Sequence, residues 1–125
     1  MLNNEQSKPL VLSIAGSDPS GGAGIQADIK TFHSFGVHGL TAITCVTSQV
    51  PGKVLNIEPV SINSLKSQVD ILFSEYQISA IKTGLLFSSE LIEVLLSSLD
   101  NYHMQAPLVV DPVMVSTSGT QLLDH

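Results

Sequence analysis

Residues 9–28, PLVLSIAGSDPSGGAGIQAD, set Gly16, Gly21, Gly22 and Gly24 between an apolar run and a helical pattern. Glycine permits backbone conformations and close approaches that a Cβ forbids, at an entropic cost. Such a run ahead of a helix gathers backbone N–H groups at the helix N-terminus, which suits a polar or anionic ligand held closely. It also reads as a plain turn capped by Asp18. Asp28 follows early in the same helix, as a ligand-facing acid or as a solvated carboxylate beside Lys30. Gln49 ends an apolar strand. Its neutral amide donates and accepts at once, which suits the edge of a heterocycle such as an aminopyrimidine, or it is simply a loop residue. Lys82, at another strand end, is a phosphate contact or a solvent-facing lysine.

Other chemistries fit poorly. Gly22, Gly24 and Ala27 match the letter of the dinucleotide fingerprint G-x-G-x-x-G/A. However, residues 16–21 separate the strand from the first glycine of the match, and no acid lies about 20 positions on to hold a ribose. The next acid after Asp28 is Glu58, and no Gly-Lys-Ser/Thr of a P-loop occurs. His33, His38, His103 and His125 lack metal-ligand spacing and read as surface or packing residues, so no metal site is expected. Cys45, inside an apolar strand, reads as a small hydrophobe. No Ser/His/Asp arrangement emerges.

The elements that must position these residues alternate regularly. Residues 10–15 are a short apolar run, as expected for a strand buried on both faces. Ile25, Ile29 and Phe32 recur at helical spacing, and Gly36 suits a helix stop. Residues 40–48 predict a second strand, and 50–59 a loop with a short extended piece at 54–57. Ile62, Leu65, Val69 and Leu72 mark a second helix capped by Ser61. A third strand is expected over 78–86. A third helix follows through Leu91, Leu95 and Leu99, with Glu90 and Glu93 in its first turn, where the dipole favours anions. Residues 107–114 predict a fourth strand stopped by Pro112. Strand–helix alternation with apolar strands predicts a parallel, doubly wound sheet, in which ligands bind outside the C-terminal strand ends. The glycine loop and residues 47–49, 82–85 and 111–114 all fall at such ends.

Composition bounds the rest. The 125 residues match one domain. Mean hydropathy is +0.31 with 13% charged residues, yet no apolar run approaches the ~20 residues of a membrane span, so the hydrophobicity reads as buried sheet. The cationic residues are five Lys against 11 acids, a net charge of -6, with 5% aromatics; a nucleic-acid partner is not expected. There is no signal-peptide pattern at the start and Cys45 is the lone cysteine, which suggests a cytoplasmic protein without disulfides.

The segments AGSDPSGGAGIQADIKTF, ITCVTSQ, IKTGLL and VVDPVM occur in an order that resembles hydroxymethylpyrimidine/phosphomethylpyrimidine kinases of thiamine biosynthesis, members of the ribokinase-like superfamily. The resemblance implies a three-layer α/β fold with a doubly wound, mostly parallel sheet. Residues 9–125, after a tail at 1–8, would be its N-terminal, substrate-binding half, in a truncated gene product or as part of a longer chain. It implies that Gln49 hydrogen-bonds the pyrimidine ring and that Asp28 meets the substrate's polar groups near the hydroxymethyl end. Gly16 and Ala23 would shape the pocket floor, with Leu85 and Val113 as apolar walls. Leu85 stands where the family often has Met, and Thr47 where it often has Val. ATP and Mg²⁺ are implied as well, held by the other half, so that no catalytic residue is named here and no turnover is expected from these residues alone. A small-molecule pyrimidine and a second copy of the chain are the implied partners, since the family tends to form dimers. Two other readings stand beside this one: a pyridoxal kinase of the same fold, and a non-catalytic pyrimidine-binding module.

Overall fold

The computed structural model describes residues 8–116 and 118–123; the expected tail, apart from Lys8, and His125 lie outside the described residues. In chain order the elements are β1 (Leu10–Ser17), α1 (Gly24–Ser34), β2 (His38–Val50), β3 (Lys53–Pro59), α2 (Ile62–Glu75), β4 (Ala80–Thr83), α3 (Ser89–Asn101) and β5 (Leu108–Val110). They form a five-stranded sheet in the order β3-β2-β1-β4-β5. β1 runs parallel to both β2 and β4, and β4 parallel to β5. β2 and β3 are antiparallel.

The apolar run of β1 follows from cover on both faces. Leu12 and Ile14 are fully buried in a core shared with Leu65, Val69 and Phe73 of α2 and Leu91 and Leu95 of α3. Ser13, one residue out of phase, faces α1 and donates to Asp28. α1 also covers Gly39 of β2, where a Cβ would lie 3.0 Å from Phe32. The layers are therefore α1, the sheet, and α2 with α3: the three-layer doubly wound arrangement predicted from the alternation. Side-chain bonds fasten the second helical layer. Ser98 of α3 donates to Asp70 of α2 at 2.9 Å. Gln68 meets both backbone groups of Ile43, at 2.8 and 3.0 Å. β3 pairs with β2 only from Cys45 onward, so Gln68 stands in for a neighbouring strand at Ile43.

The caps agree with the sequence in part. Ser61 accepts from the Ser64 N–H at 3.0 Å, as expected. Ser88 caps α3 in the same way, accepting from Leu91 at 3.3 Å. Glu90 lies in the first turn of α3, but Glu93 lies beyond it. The largest correction concerns residues 50–59, expected as a loop. They are the end of β2, a tight turn and β3. Val50 pairs with Lys53 across Pro51–Gly52, and Gly52 has φ 80°. Pro followed by a positive-φ Gly is the requirement of a type II turn, and it folds the chain back as a hairpin. β3 in turn extends β2 to Val50, past Val46, where its pairing with β1 ends. The third and fourth strands are shorter than 78–86 and 107–114. β4 pairs with β1 only up to Thr83 opposite Ile14, and β5 follows the length of β4.

Leu65 is fully buried between α2 and the sheet. Leu65→Ala is expected to lower stability by about 2–5 kcal/mol in urea unfolding. A loss below about 1 kcal/mol would mean that α2 does not pack on the sheet in this way.

Candidate functional site

From β1 the chain builds β2 and β3 on one side, then crosses back to β4 on the other. Connections diverge at such a reversal and leave a crevice outside the C-terminal strand ends. A cavity of about 350 Å³ opens there. The structure brings all six sequence-predicted residues to its lining: Gly16 at the end of β1, Ala23 before α1, Asp28 on α1, Gln49 on β2, Leu85 after β4 and Val113 after β5. Asp18, Lys82 and Asp111 line it too.

Of the two readings of the glycine loop, a ligand cradle and a turn held by Asp18, the structure shows the turn. The N–H groups of Ser20, Gly22 and Ala23 are taken by the chain's own carboxylate. Asp18 Oδ1 accepts from the N–H and hydroxyl of Ser20, both at 2.8 Å. Oδ2 accepts from the N–H of Gly22 at 3.1 Å and of Ala23 at 2.8 Å. Burial would raise this carboxyl's pKa, but the Ser20 hydroxyl and the N–H groups of Ser20, Ala23 and Gly22 outweigh burial and hold it below its ordinary value. Gln26 ties the loop to α1, accepting from the Asp18 N–H at 2.8 Å and donating to Ser17 Oγ at 2.7 Å. The helix start abuts the strand end: at Gly24, φ is 61° and a Cβ would fall 2.3 Å from the Gly16 carbonyl oxygen.

Asp28 is not the solvated neighbour of Lys30. Its Oδ2 accepts from Ser13 Oγ at 2.6 Å and from Lys82 Nζ at 2.9 Å. Lys30 instead donates to the Gly21 carbonyl at 3.0 Å. Lys82, weighed in the sequence as solvent-facing, folds back over Gly84, where a Cβ would lie 3.0 Å from Nζ. One carboxylate oxygen thus joins β1, α1 and β4. Side-chain contacts across 54 residues leave no periodic signal, which is why sequence reasoning missed this pair.

Gln49 sits just past an irregularity in the β2–β3 register, between Ser48 and Gln49. Bulges of this kind re-aim a side chain, and they recur beside functional sites. Among the described residues the Gln49 amide has no side-chain hydrogen bond. Thr47 behaves differently from Gln49: its hydroxyl donates to the Ser17 carbonyl at 2.8 Å, so the group is used within the fold. Leu85 is held from behind, its carbonyl accepting from buried Thr44 Oγ1 at 2.5 Å. Cys45 is fully buried, with its thiol pKa pushed up by burial, and a Cβ on Gly16 would come within 2.9 Å of its sulfur. The cavity floor therefore requires glycine at position 16. Among the described residues no group of three His, Cys, Asp or Glu side chains gathers to hold a metal ion.

The sequence profile of the phosphomethylpyrimidine kinases matches residues 18–125. The chain belongs to that family. It is 46% identical over 114 residues to the hydroxymethylpyrimidine/phosphomethylpyrimidine kinase of Rhizobium meliloti strain 1021, covering 91% of this chain and 42% of the relative. The crystal structure of phosphomethylpyrimidine kinase from Clostridium difficile 630 superposes with a TM-score of 0.83 at 43% identity, over 94% of this chain and 50% of the other. The pyridoxal kinase of Staphylococcus aureus in complex with AMP-PCP and pyridoxal gives a TM-score of 0.75 at 35% identity, over 86% of this chain and 40% of that one. The chain therefore spans half or less of the length of each of these proteins. This family member carries its cavity at the C-terminal ends of the strands.

The Asp18 cap predicts a pH dependence. Its folded pKa is depressed, so the stabilisation is complete above the unfolded carboxylate value of about 4 and is lost as pH falls below it. Asp18→Asn removes the charge and one acceptor oxygen, and is expected to cost about 1–3 kcal/mol near neutral pH, as for lost hydrogen bonds to a charged group. The gap between the two proteins in urea unfolding should close below about pH 4. A gap that stays constant down to about pH 2 would show that the carboxylate charge contributes nothing.

Proposed function

We propose that this chain forms the acceptor-alcohol side of a kinase. The enzyme phosphorylates 4-amino-5-hydroxymethyl-2-methylpyrimidine and then its monophosphate, in thiamine biosynthesis. The observation that carries this reading is Gln49: an amide without a side-chain partner among the described residues, at the wall of a cavity that also gathers Gly16, Ala23, Asp28, Leu85 and Val113. A ring with adjacent donor and acceptor atoms satisfies such an amide, while Leu85 and Val113 cover its faces. Asp28, held through Oδ2 by Ser13 and Lys82, is the group for the hydroxymethyl end.

The phosphoryl donor is ATP with Mg²⁺. Phosphoryl transfer rests on in-line positioning and on neutralising charge in the transition state. These residues supply the first task. The second falls to parts of the enzyme outside them, since Lys82, paired with Asp28, is placed on the acceptor side and no carboxylate cluster for a metal is gathered among the described residues. No described helix is long and apolar enough to cross a membrane, and a cytoplasmic reaction fits the substrates. A pyridoxal-phosphorylating enzyme is the second reading, supported by the likeness to the pyridoxal-bound Staphylococcus aureus kinase.

Calorimetry on the 125-residue chain tests the ligand. Binding of the hydroxymethylpyrimidine is expected to exceed binding of pyridoxal, and Gln49→Leu should weaken it by about 1–3 kcal/mol, roughly 10- to 100-fold. An unchanged affinity would remove Gln49 from the site. A coupled ADP-release assay tests the division of labour. The chain alone is expected to give no turnover above the buffer blank with the pyrimidine and MgATP. A rate within about tenfold of a typical kinase kcat would mean that the donor site lies within these residues.

A further inference from the structure

The charges that line the cavity are unequal. Asp18, Asp28 and Asp111 contribute carboxylates, and Lys82 is the one Lys or Arg among the lining residues. The other described lysines lie elsewhere. Lys30 is exposed on the Gly21 carbonyl, Lys66 pairs with Asp70 on α2, Lys53 lines a hollow at the β2–β3 hairpin that meets the cavity only at Thr47 and Gln49, on the side away from Asp28, and Lys8 precedes β1. The loop contributes less than its glycines suggest, because Asp18 has taken the N–H groups of Ser20, Gly22 and Ala23 with its carboxylate and that of Gly21 with its carbonyl. A neutral alcohol enters such a cavity without electrostatic penalty. A phosphomonoester, carrying about −1.5 to −2 charges near pH 7, does not. It needs a cation, and Lys82 is the lysine that lines the cavity beside Asp28.

Building on the kinase reading, we infer that Lys82 determines acceptance of the second substrate. With the free alcohol bound, its ammonium stays on Asp28; with the phosphomonoester bound, it moves onto the phosphate. The geometry permits this movement. Lys82 and Asp28 are 24% and 17% exposed, facing the cavity rather than sealed beneath it. Gly84 leaves the space around Nζ unfenced by a side chain, and lysine's flexible four-carbon stem lets the charge travel. Asp28 is not orphaned when the ammonium leaves, since Ser13 Oγ still donates to it at 2.6 Å. Ser13 is fully buried and cannot follow the ligand. The arrangement holds one fixed donor and one mobile donor on the same oxygen.

Calorimetric titration of the 125-residue chain with 4-amino-5-hydroxymethyl-2-methylpyrimidine and, separately, with its phosphate monoester distinguishes the possibilities. Lys82→Met should weaken the monoester at least about tenfold more than the alcohol. Asp28→Asn should do the opposite, tightening the monoester about threefold or more while weakening the alcohol, because a like charge is removed and Lys82 is released. Opposite signs in the two variants cannot come from a general loss of folding. Equal weakening of both ligands by Lys82→Met, or a monoester affinity that does not rise in Asp28→Asn, would overturn the inference and leave the kinase reading standing. An unsubstituted chain that binds neither ligand would overturn both.

Discussion

The backbone of Gly24 lies so close to the carbonyl of Gly16 that no side chain fits between them, a Cβ falling 2.3 Å from the oxygen. This contact brings the start of α1 against the end of β1, and the rest of the site is built on it. The intervening residues must turn tightly, with positive φ at Gly21 as well as Gly24. Their N–H groups then converge, and Asp18 collects them. α1 leaves the contact at an angle that carries Asp28 over Ser13. Gly16 is pressed from its other side by the sulfur of Cys45, so the floor is bare backbone by necessity.

A helix N-terminus beside a glycine loop is commonly a place for a ligand's phosphate. Here the same physics is satisfied internally. The carboxylate of Asp18 gathers the N–H groups of the loop just ahead of the helix, and the surface left to a ligand is net acidic with one lysine. That division suits a neutral heterocycle recognised by shape and by an amide. It also puts charge management in side chains that can move rather than in backbone that cannot.

Much of this was legible in the sequence. The apolar runs gave β1 and β2, because strands buried on both faces need no alternation, and helical spacing gave α1, α2 and α3. Asp28, Gln49 and the glycine loop stood out by residue type and position, the resemblance joined them to Ala23, Leu85 and Val113, and the fold explains their company: each lies at or beyond the C-terminal end of a strand, or on the loop and helix that follow one. β3 was legible only as a short extended piece at 54–57, although more of its signal was present. Pro51–Gly52 reads as part of a loop, but proline followed by a positive-φ glycine is also the pattern of a type II turn, which reverses the chain between β2 and β3. The exchange of Lys30 for Lys82 as the partner of Asp28 had no comparable signal. Lys30 is near in sequence but points along the helix to Gly21, and only the pairing of β1 with β4 brings Lys82 across. The loop's role was ambiguous for a different reason. Glycine-rich turns that bind anions and those that bind their own aspartate use the same residues, and geometry alone separates them.

The first strand of the chain is the middle strand of this part of the sheet, with β2 on one edge and β4 on the other. Synthesis delivers these neighbours at different times. At about 5–20 residues per second, β2 and β3 emerge soon after β1, but α2 must also be made before β4 arrives. For some seconds the growing chain carries a strand that is apolar on both faces and has one edge open, a template for pairing with any other unfinished chain nearby. The chain reversal that leaves room for a ligand thus sets a window of vulnerability during translation, closed when β4 is released from the ribosome.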